Sequence, residues 1–354
     1  TTPNALEFSN WIGKIRKKTT YVVTTSYRPV PLHHYVYLGE SFNYDKMDDD
    51  LLKEDKQKML CNRFIPLYKN KTFYRNCNRF INNLVDKRSK RKSGVKMATG
   101  NQNWLHLFQE LKKNDMLPVV VFEFSKRGCE RLARQIPRES LDLNYKKDKS
   151  RVYRLFCKCL QKLQPEDRDL PQIKFIFDLA LRGIGIHHGG LLPIMKEIVE
   201  ILFDFGLIKI LFATETFAMG INMPTRTVVF SSTKKHDGSK FRTLYPGEYI
   251  QMSGRAGRRG LDKVGNVIMA YWDKIPDLEK LVTGTPVKIK SQFRLTYQTI
   301  LSLYRTQSLD IKVEDLMRCS FSEHDVGQEY QLSDMTEIYR DCHRIYQYLD
   351  ENLK

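Results

Sequence analysis

Residues 251–260 read QMSGRAGRRG, which crowds Arg255, Arg258 and Arg259 among Gly254, Ala256, Gly257 and Gly260. Like charges at such spacing repel one another, and the small residues between them offer almost no packing. The cluster makes sense against an anion. On a helix Arg255 and Arg258, three apart, share one face, and the glycines and alanine keep that face low enough for another surface to come close. Two guanidinium groups there suit a phosphate whose negative charge grows in a transition state, a role worth about 10³–10⁵ in rate. The competing readings are a solvated basic helix and an RGG-like RNA contact, and the latter needs repeats that are absent.

Three more segments place hydroxyls, glycines and charges just past apolar runs: FEFSK (122–126), HHGG (187–190) and ATETFAMGINMP (213–224). Glycine lets a backbone approach a ligand, and hydroxyls with free N–H groups are the usual donors to phosphate. His187 and His188 read as a strand-end pair, since no carboxylate or third ligand lies at metal-binding spacing. His33 and His34 read as connector packing, and Trp11 and Trp104 as core. Lys234, Lys235 and His236 read equally as RNA contacts or solvated charges, and Glu215 as a hydrogen-bond anchor.

Regular elements must position these groups. PVVVFEF (118–124), GIGIHH (183–188), IKILFAT (208–214), RTVVFSS (226–232) and NVIMAYW (266–272) are short β-branched and aromatic runs, the pattern of buried strands. WLHLFQELKK is helical by spacing, and PIMKEIVEILFDFG (193–206) opens on proline and closes on glycine. Strands alternating with helices predict an α/β fold with a doubly wound parallel sheet, whose ligands bind beyond the carboxyl ends of its strands. YVVTTSYRPVPLHHYVY reads as a strand leading into an extended connector, and residues 40–103 as an insertion or long loop, acidic first and basic at KRSKRKSG. After Pro286 the pattern becomes helical, with helices predicted at 292–305, 313–321 and 333–349.

The 354 residues are 41% hydrophobic, enough for two cores, and a net charge of +18 points to a polyanion. No apolar run reaches membrane-spanning length and no signal peptide is visible, so a soluble chain without a membrane partner is expected. Seven cysteines without a framework read as reduced thiols in a cytosolic or nuclear protein. A first residue other than methionine, Thr1, suggests a piece of a longer chain.

Taken in order, these segments resemble the second half of a superfamily-2 helicase core of the Ski2-like group. QMSGRAGRRG is similar to motif VI, ATETFAMGINMP to motif V and VVVFEFSK to motif IV. HHGGLLPIMKEIVEILF, KHDGSKFRTLYPGEYIQM and TPNALEFSNWIG resemble segments between or before them, and the likeness is weakest at 40–103 and 136–165. SQFRLTYQTILSLYR with VEDLMRCSFSE resembles the superkiller branch more than the nuclear exosome branch. The resemblance implies the tail of a first RecA-like domain at 1–20 and a second RecA-like domain at 21–285. It further implies a winged-helix-like segment at 286–332 and, at 333–354, a helix leading toward an arch insertion.

It also implies ATP between two RecA-like domains, with Mg²⁺ held by the first, and single-stranded RNA across both. Arg255 and Arg258 would reach the γ-phosphate, and Gln251, Gly220 and Asn222 would lie on the nucleotide side. Ser125, His188, Gly189, Gly190, Thr214 and Thr216 would follow the RNA backbone without reading sequence. The implied whole is a 3′–5′ helicase feeding RNA to the exosome beside Ski-complex subunits, cytoplasmic in the superkiller reading and nuclear in the alternative. The sequence holds neither G-x-x-x-x-G-K-[ST] nor Asp-Glu-x-His, so this chain alone is expected to be inactive. A non-catalytic RNA-binding adaptor and a DNA-unwinding relative are the other classes.

Overall fold

The computed structural model describes residues 3–25, 27–37, 39, 64–70, 72–79, 81–82, 100–137, 140–220, 223–270, 278–291, 296–305 and 318–322. The chain divides into two compact units, Tyr27–Pro286 and the joined ends Thr1–Ser26 with Val287–Lys354.

The larger unit is built on β1 (Leu32–Tyr37), β2 (Phe64–Lys69), β3 (Thr72–Phe73), β4 (Val119–Phe122), β5 (Ile184–His187), β6 (Ile210–Ala213) and β7 (Thr227–Phe230). A separate hairpin, β8 (Lys234–His236) and β9 (Phe241–Thr243), precedes the last strand, β10 (Gly265–Ala270). The main sheet has eight strands in the order β3-β2-β1-β10-β7-β4-β6-β5. From β1 to β5 all neighbours in that order run parallel, while β2 and β3 pair antiparallel. Every residue of β4, β5, β6 and β7 is buried, as a sheet covered on both faces requires. The chain is therefore an α/β protein with a RecA-like parallel sheet.

The register gives this sheet two level rims. Val119 pairs with Ile210 and Thr227, and Ile210 with Ile184, so the four consecutive strands β7, β4, β6 and β5 start together. Phe122 pairs with Ala213 and Phe230, and Ala213 with His187, so they also end together. Residues just past Phe122, His187, Ala213 and Phe230 form a carboxyl rim, and residues just before Val119, Ile184, Ile210 and Thr227 form an amino rim.

Two expectations are corrected. Within the stretch read as an insertion or long loop, residues 64–73 supply β2 and β3 of the main sheet. Pro66 hid the strand, yet it sits opposite Tyr35 where the pairing shifts register, a place that tolerates a residue without an N–H. The first strand also lies after the two prolines of YVVTTSYRPVPLHHYVY, and Tyr21–Thr25 has no regular structure, with Val23 95% exposed. His33 and His34 thus belong to a strand. His34 Nδ1 shares a 2.7 Å hydrogen bond with the Tyr249 hydroxyl. Burial, with His33 and Arg28 nearby, pushes its imidazole down to about 3, so the ring is neutral.

The helix Pro193–Asp204 has proline in its first turn and ends on Gly206 at φ +67°, where Leu207 N–H donates to Leu202 O at 2.9 Å. That is the left-handed exit glycine permits. Trp104 is core, 6% exposed. In the smaller unit the helix Ala5–Arg16 places Phe8 and Trp11 against Phe321, with ring centroids 5.2–5.6 Å apart. Asn4 exchanges two hydrogen bonds with the Ile289 backbone, at 2.9 and 3.0 Å. Of the helices predicted after Pro286, Tyr297–Arg305 forms, the one at 313–321 lies mostly outside the described residues and the one at 333–349 entirely so.

Candidate functional site

The helix Pro246–Ser253 starts with Pro246 and with Glu248, whose carboxylate accepts the Tyr245 N–H at 2.8 Å. It ends at Ser253, so Arg255, Arg258 and Arg259 lie in the loop that follows and not on one helical face. The loop docks as a fifth element of the amino rim. Thr225 N–H donates to Arg255 O (2.9 Å), Gly257 N–H returns the bond to Thr225 O (2.7 Å), and the Thr225 hydroxyl caps Pro118 O (2.7 Å). Gly257 is there for packing: its φ is +87°, and a Cβ would meet Val30 Cγ1 at 2.5 Å. The arginine segment thus lies at the amino rim, opposite the carboxyl ends of the strands.

Two of the three arginines are already held. Arg255 Nη2 donates to the Ala218 carbonyl on the short helix Thr216–Gly220. Arg258 grips Asp262 bidentately, Nε to Oδ2 at 2.8 Å and Nη2 to Oδ1 at 2.9 Å, while its own N–H donates to Oδ2 at 2.9 Å. Burial raises the Asp262 carboxyl, but these bonds outweigh it and keep the group below its usual range, as a carboxylate. Arg28, which the sequence reading passed over, pins the same loop by donating to Val30 O, Gly254 O and Ala256 O at 2.8–3.0 Å. Nothing in YRPVP marks it. Gln251 is exposed two residues before the helix ends, and Gly220 closes the short helix. Asn222 lies outside the described residues. A cavity of about 670 Å³ opens on this rim, with Pro118, Asn144, Lys209, Pro224, Arg258 and Arg259 in its lining. Its lining also includes Lys112 with Asp115, Asp142 and Asp204, so cations outnumber carboxylates by one. Among the described residues no His, Cys, Asp and Glu cluster able to hold a metal occurs.

The carboxyl rim gathers the other candidates. Ser125 caps the helix Lys126–Gln135, accepting Gly128 N–H at 2.8 Å, and its hydroxyl proton stays available at an exposed position. Thr214 and Thr216 hydroxyls are 2.9 Å apart, and Thr214 N–H donates to His187 O at 3.1 Å, joining the ends of β5 and β6. Gly189 and Gly190 are exposed, and a Cβ on Gly189 would meet nothing within 4 Å. His188 is corrected: its side chain is 2% exposed, and Nδ1 accepts the Gly190 N–H at 3.1 Å. The ring shapes the turn, and the glycines carry the exposed backbone. His187 is likewise internal, with Nε2 2.7 Å from Glu200.

Lys235, read as an RNA contact or a solvated charge, does neither. Its ammonium lies 2.6 Å from Glu215 and 2.8 Å from Glu248, and Arg242 clasps Glu248 at 2.7 and 2.9 Å. Burial alone would raise the Glu248 carboxyl, yet Arg242, Lys235 and the Tyr245 N–H bring it to about 2. Glu215 accordingly anchors the segment between Thr214 and Thr216.

Residues 104–260 match the helicase conserved C-terminal domain. A RecA-like sheet with that match, an arginine loop on one rim and a hydroxyl and glycine track on the other defines the C-terminal RecA-like half of a helicase core. The chain is 43% identical over 347 residues to Superkiller complex protein 2 of Mus musculus, covering 95% of this chain and 27% of that protein. It is 40% identical over 361 residues to Antiviral helicase SKI2 of Saccharomyces cerevisiae (92% and 28% covered) and 41% over 326 residues to Exosome RNA helicase MTR4 of Homo sapiens (91% and 29%). The chain belongs to the Ski2-like helicases. It spans 27–29% of the length of these relatives.

Proposed function

We propose that this chain supplies the second RecA-like domain of an ATP-dependent RNA helicase. The amino rim faces the nucleotide and the carboxyl rim carries the RNA backbone. The observation that carries this reading is the division of labour between the rims, with Arg255 tied through Ala218 to the segment that holds Thr214 and Thr216. ATP supplies a phosphoryl group whose developing charge arginines stabilise. Arg255 and Arg258 offer that stabilisation, Gln251, Gly220 and Asn222 stand on the nucleotide side, and Mg²⁺ belongs to a first RecA-like domain. Ser125, Gly189, Gly190, Thr214 and Thr216 hold the strand through phosphate and sugar. The whole protein moves 3′ to 5′ and passes RNA to the cytoplasmic exosome with Ski-complex subunits, as the superkiller likeness of the helical region suggests. The nuclear exosome helicase is the alternative. Residues 1–20 and 286–332 are read as the tail of the first domain and a winged-helix-like segment.

The test uses full-length protein. Arg258→Ala is expected to cut RNA-stimulated ATP hydrolysis strongly and to leave RNA affinity nearly intact. Loss of RNA binding with hydrolysis preserved would instead favour an adaptor. The 354-residue chain by itself is expected to hydrolyse ATP negligibly. The Arg258–Asp262 clasp favours a second reading, in which Arg258 builds the loop and neighbouring Arg259 meets the phosphate. Arg259→Ala then carries the larger loss of rate, and Arg258→Ala the larger loss of melting temperature.

A further inference from the structure

The helix Lys146–Leu160 carries none of the candidate site residues. Its sequence, KKDKSRVYRLFCKCL, holds six Lys or Arg and one Asp, and it buries Val152 and Phe156. Lys147, Arg151, Arg154 and Lys158 recur at steps of four, three and four, which puts them on one stripe opposite Val152 and Phe156. All four are exposed, and Lys162 extends the stripe into the next turn. Arg151 reaches Asp148 at 4.0 Å. Among the described residues no carboxylate comes as close to Lys147, Arg154 or Lys158. Cations stacked at such spacing repel and weaken the helix they sit on.

The stripe connects the two rims. At its amino end Asp148 lies 3.8 Å from Lys209, the residue before β6 on the amino rim. Beyond its carboxyl end the chain turns through the short 3₁₀ helix Pro165–Asp169 into the helix Pro171–Leu181, which packs alongside. Gln172, in the first turn of that helix, donates to Gly190 O at 3.4 Å and accepts the Leu192 N–H at 3.0 Å. Lys158 and Lys162 therefore sit at the end of the layer where Gly189 and Gly190 are exposed.

The geometry points to a second RNA surface: Lys147, Arg151, Arg154 and Lys158 hold the sugar–phosphate backbone of the strand after it leaves the Gly189–Gly190 turn. This rests on the reading of the carboxyl rim as an RNA track. From Lys147 to Lys158 the stripe is about 16 Å long. It needs nothing but charge to act, because releasing counterions from a phosphate backbone drives such binding. A protein partner would want an apolar or aromatic centre, and interfaces are depleted in lysine. The stripe offers only cations.

The experiment measures RNA affinity of the full-length protein against salt, with a short single strand that fills the track and a strand about ten nucleotides longer that also spans the helix. Replacing Lys147→Gln, Arg151→Gln, Arg154→Gln and Lys158→Gln together removes four charges. For the longer RNA the log–log salt slope is expected to shrink by about 2–3, at roughly 0.7 per phosphate on a single strand. For the short RNA it should not change. A companion variant with Lys147→Arg and Lys158→Arg should keep the full slope, which separates charge from folding. Equal slopes for variant and wild type on the longer RNA overturn the proposal. So does a variant that keeps its RNA slope but loses binding to polyglutamate, since the stripe then serves an acidic polypeptide. If wild type fails to bind the short RNA at all, the track reading fails. The longer RNA still tests the stripe on its own.

Discussion

The two rims of the sheet hold charge in opposite ways. On the amino rim three arginines are restrained: Arg258 is clasped by Asp262, Arg255 by the Ala218 carbonyl, and Arg28 nails the loop to the chain before β1. On the carboxyl rim the groups are open, with two exposed glycines, a capping serine with a proton to spare and paired threonine hydroxyls. A transition state rewards donors whose geometry is fixed before charge develops. A sliding backbone rewards contacts that are many, shallow and indifferent to sequence. The contrast matches an ATP side and an RNA side.

The contrast can be broken from its strongest point outward. Arg255→Ala in full-length protein should lower RNA-stimulated ATP hydrolysis by about 10³ while short-strand RNA affinity stays within twofold, read by steady-state kinetics and fluorescence anisotropy. An equal loss in both would mean that the rims do not divide the labour. Gly257→Val next should cost about 3 kcal/mol in denaturant unfolding, because a side chain there meets Val30 and φ is left-handed. A neutral result would show that the loop docks in some other way.

Glu248→Gln tests the fastening between hairpin and helix. The folded carboxyl sits at about 2 against an ordinary 4.5. Its contribution is therefore complete above pH 4.5 and fades as pH falls toward 2. The variant should be roughly 2 kcal/mol less stable at pH 7, after discounting for solvent screening, and the gap should close below pH 4.5. A gap that stays constant across that range excludes the ion pairs as its source. The smallest effect sharpens the open rim. Gly189→Val has free space, so the melting temperature should hold, while RNA affinity drops about fivefold from blocked backbone approach. Unchanged affinity would remove Gly189 from the track.

Much of this layout was legible in the sequence. The runs around Val119–Phe122, Ile184–His187, Ile210–Ala213 and Thr227–Phe230 announce themselves because a strand buried on both faces must be apolar throughout. The proline and glycine that bound the helix Pro193–Asp204 are equally plain. The arginine segment was visible, but its rim was not, because that depends on where a helix running back along the sheet stops. It stops at Ser253, before Arg255, and Gly257 at φ +87° turns the segment beyond, so an imagined shared face becomes a docked loop. Asp262 drew no attention because one aspartate four residues past an arginine is ordinary. His188 looked like a contact since spacing cannot tell a ring that points inward from one that points out. Phe64–Lys69 was hidden by Pro66, whose place opposite a register shift only the pairing discloses.

The short helix Thr216–Gly220 has a consequence of its own. Thr216 opens it beside the RNA candidates, and Ala218, two residues on, offers the carbonyl that Arg255 grips. At 1.5 Å of rise per residue, those two contacts sit about 3 Å apart along the axis. Four-residue strands keep the two rims apart, yet a contact from each meets within one turn of this backbone. In the proposed reading, a strand held at the Thr216 hydroxyl would bear on the seat of Arg255 through two residues of backbone.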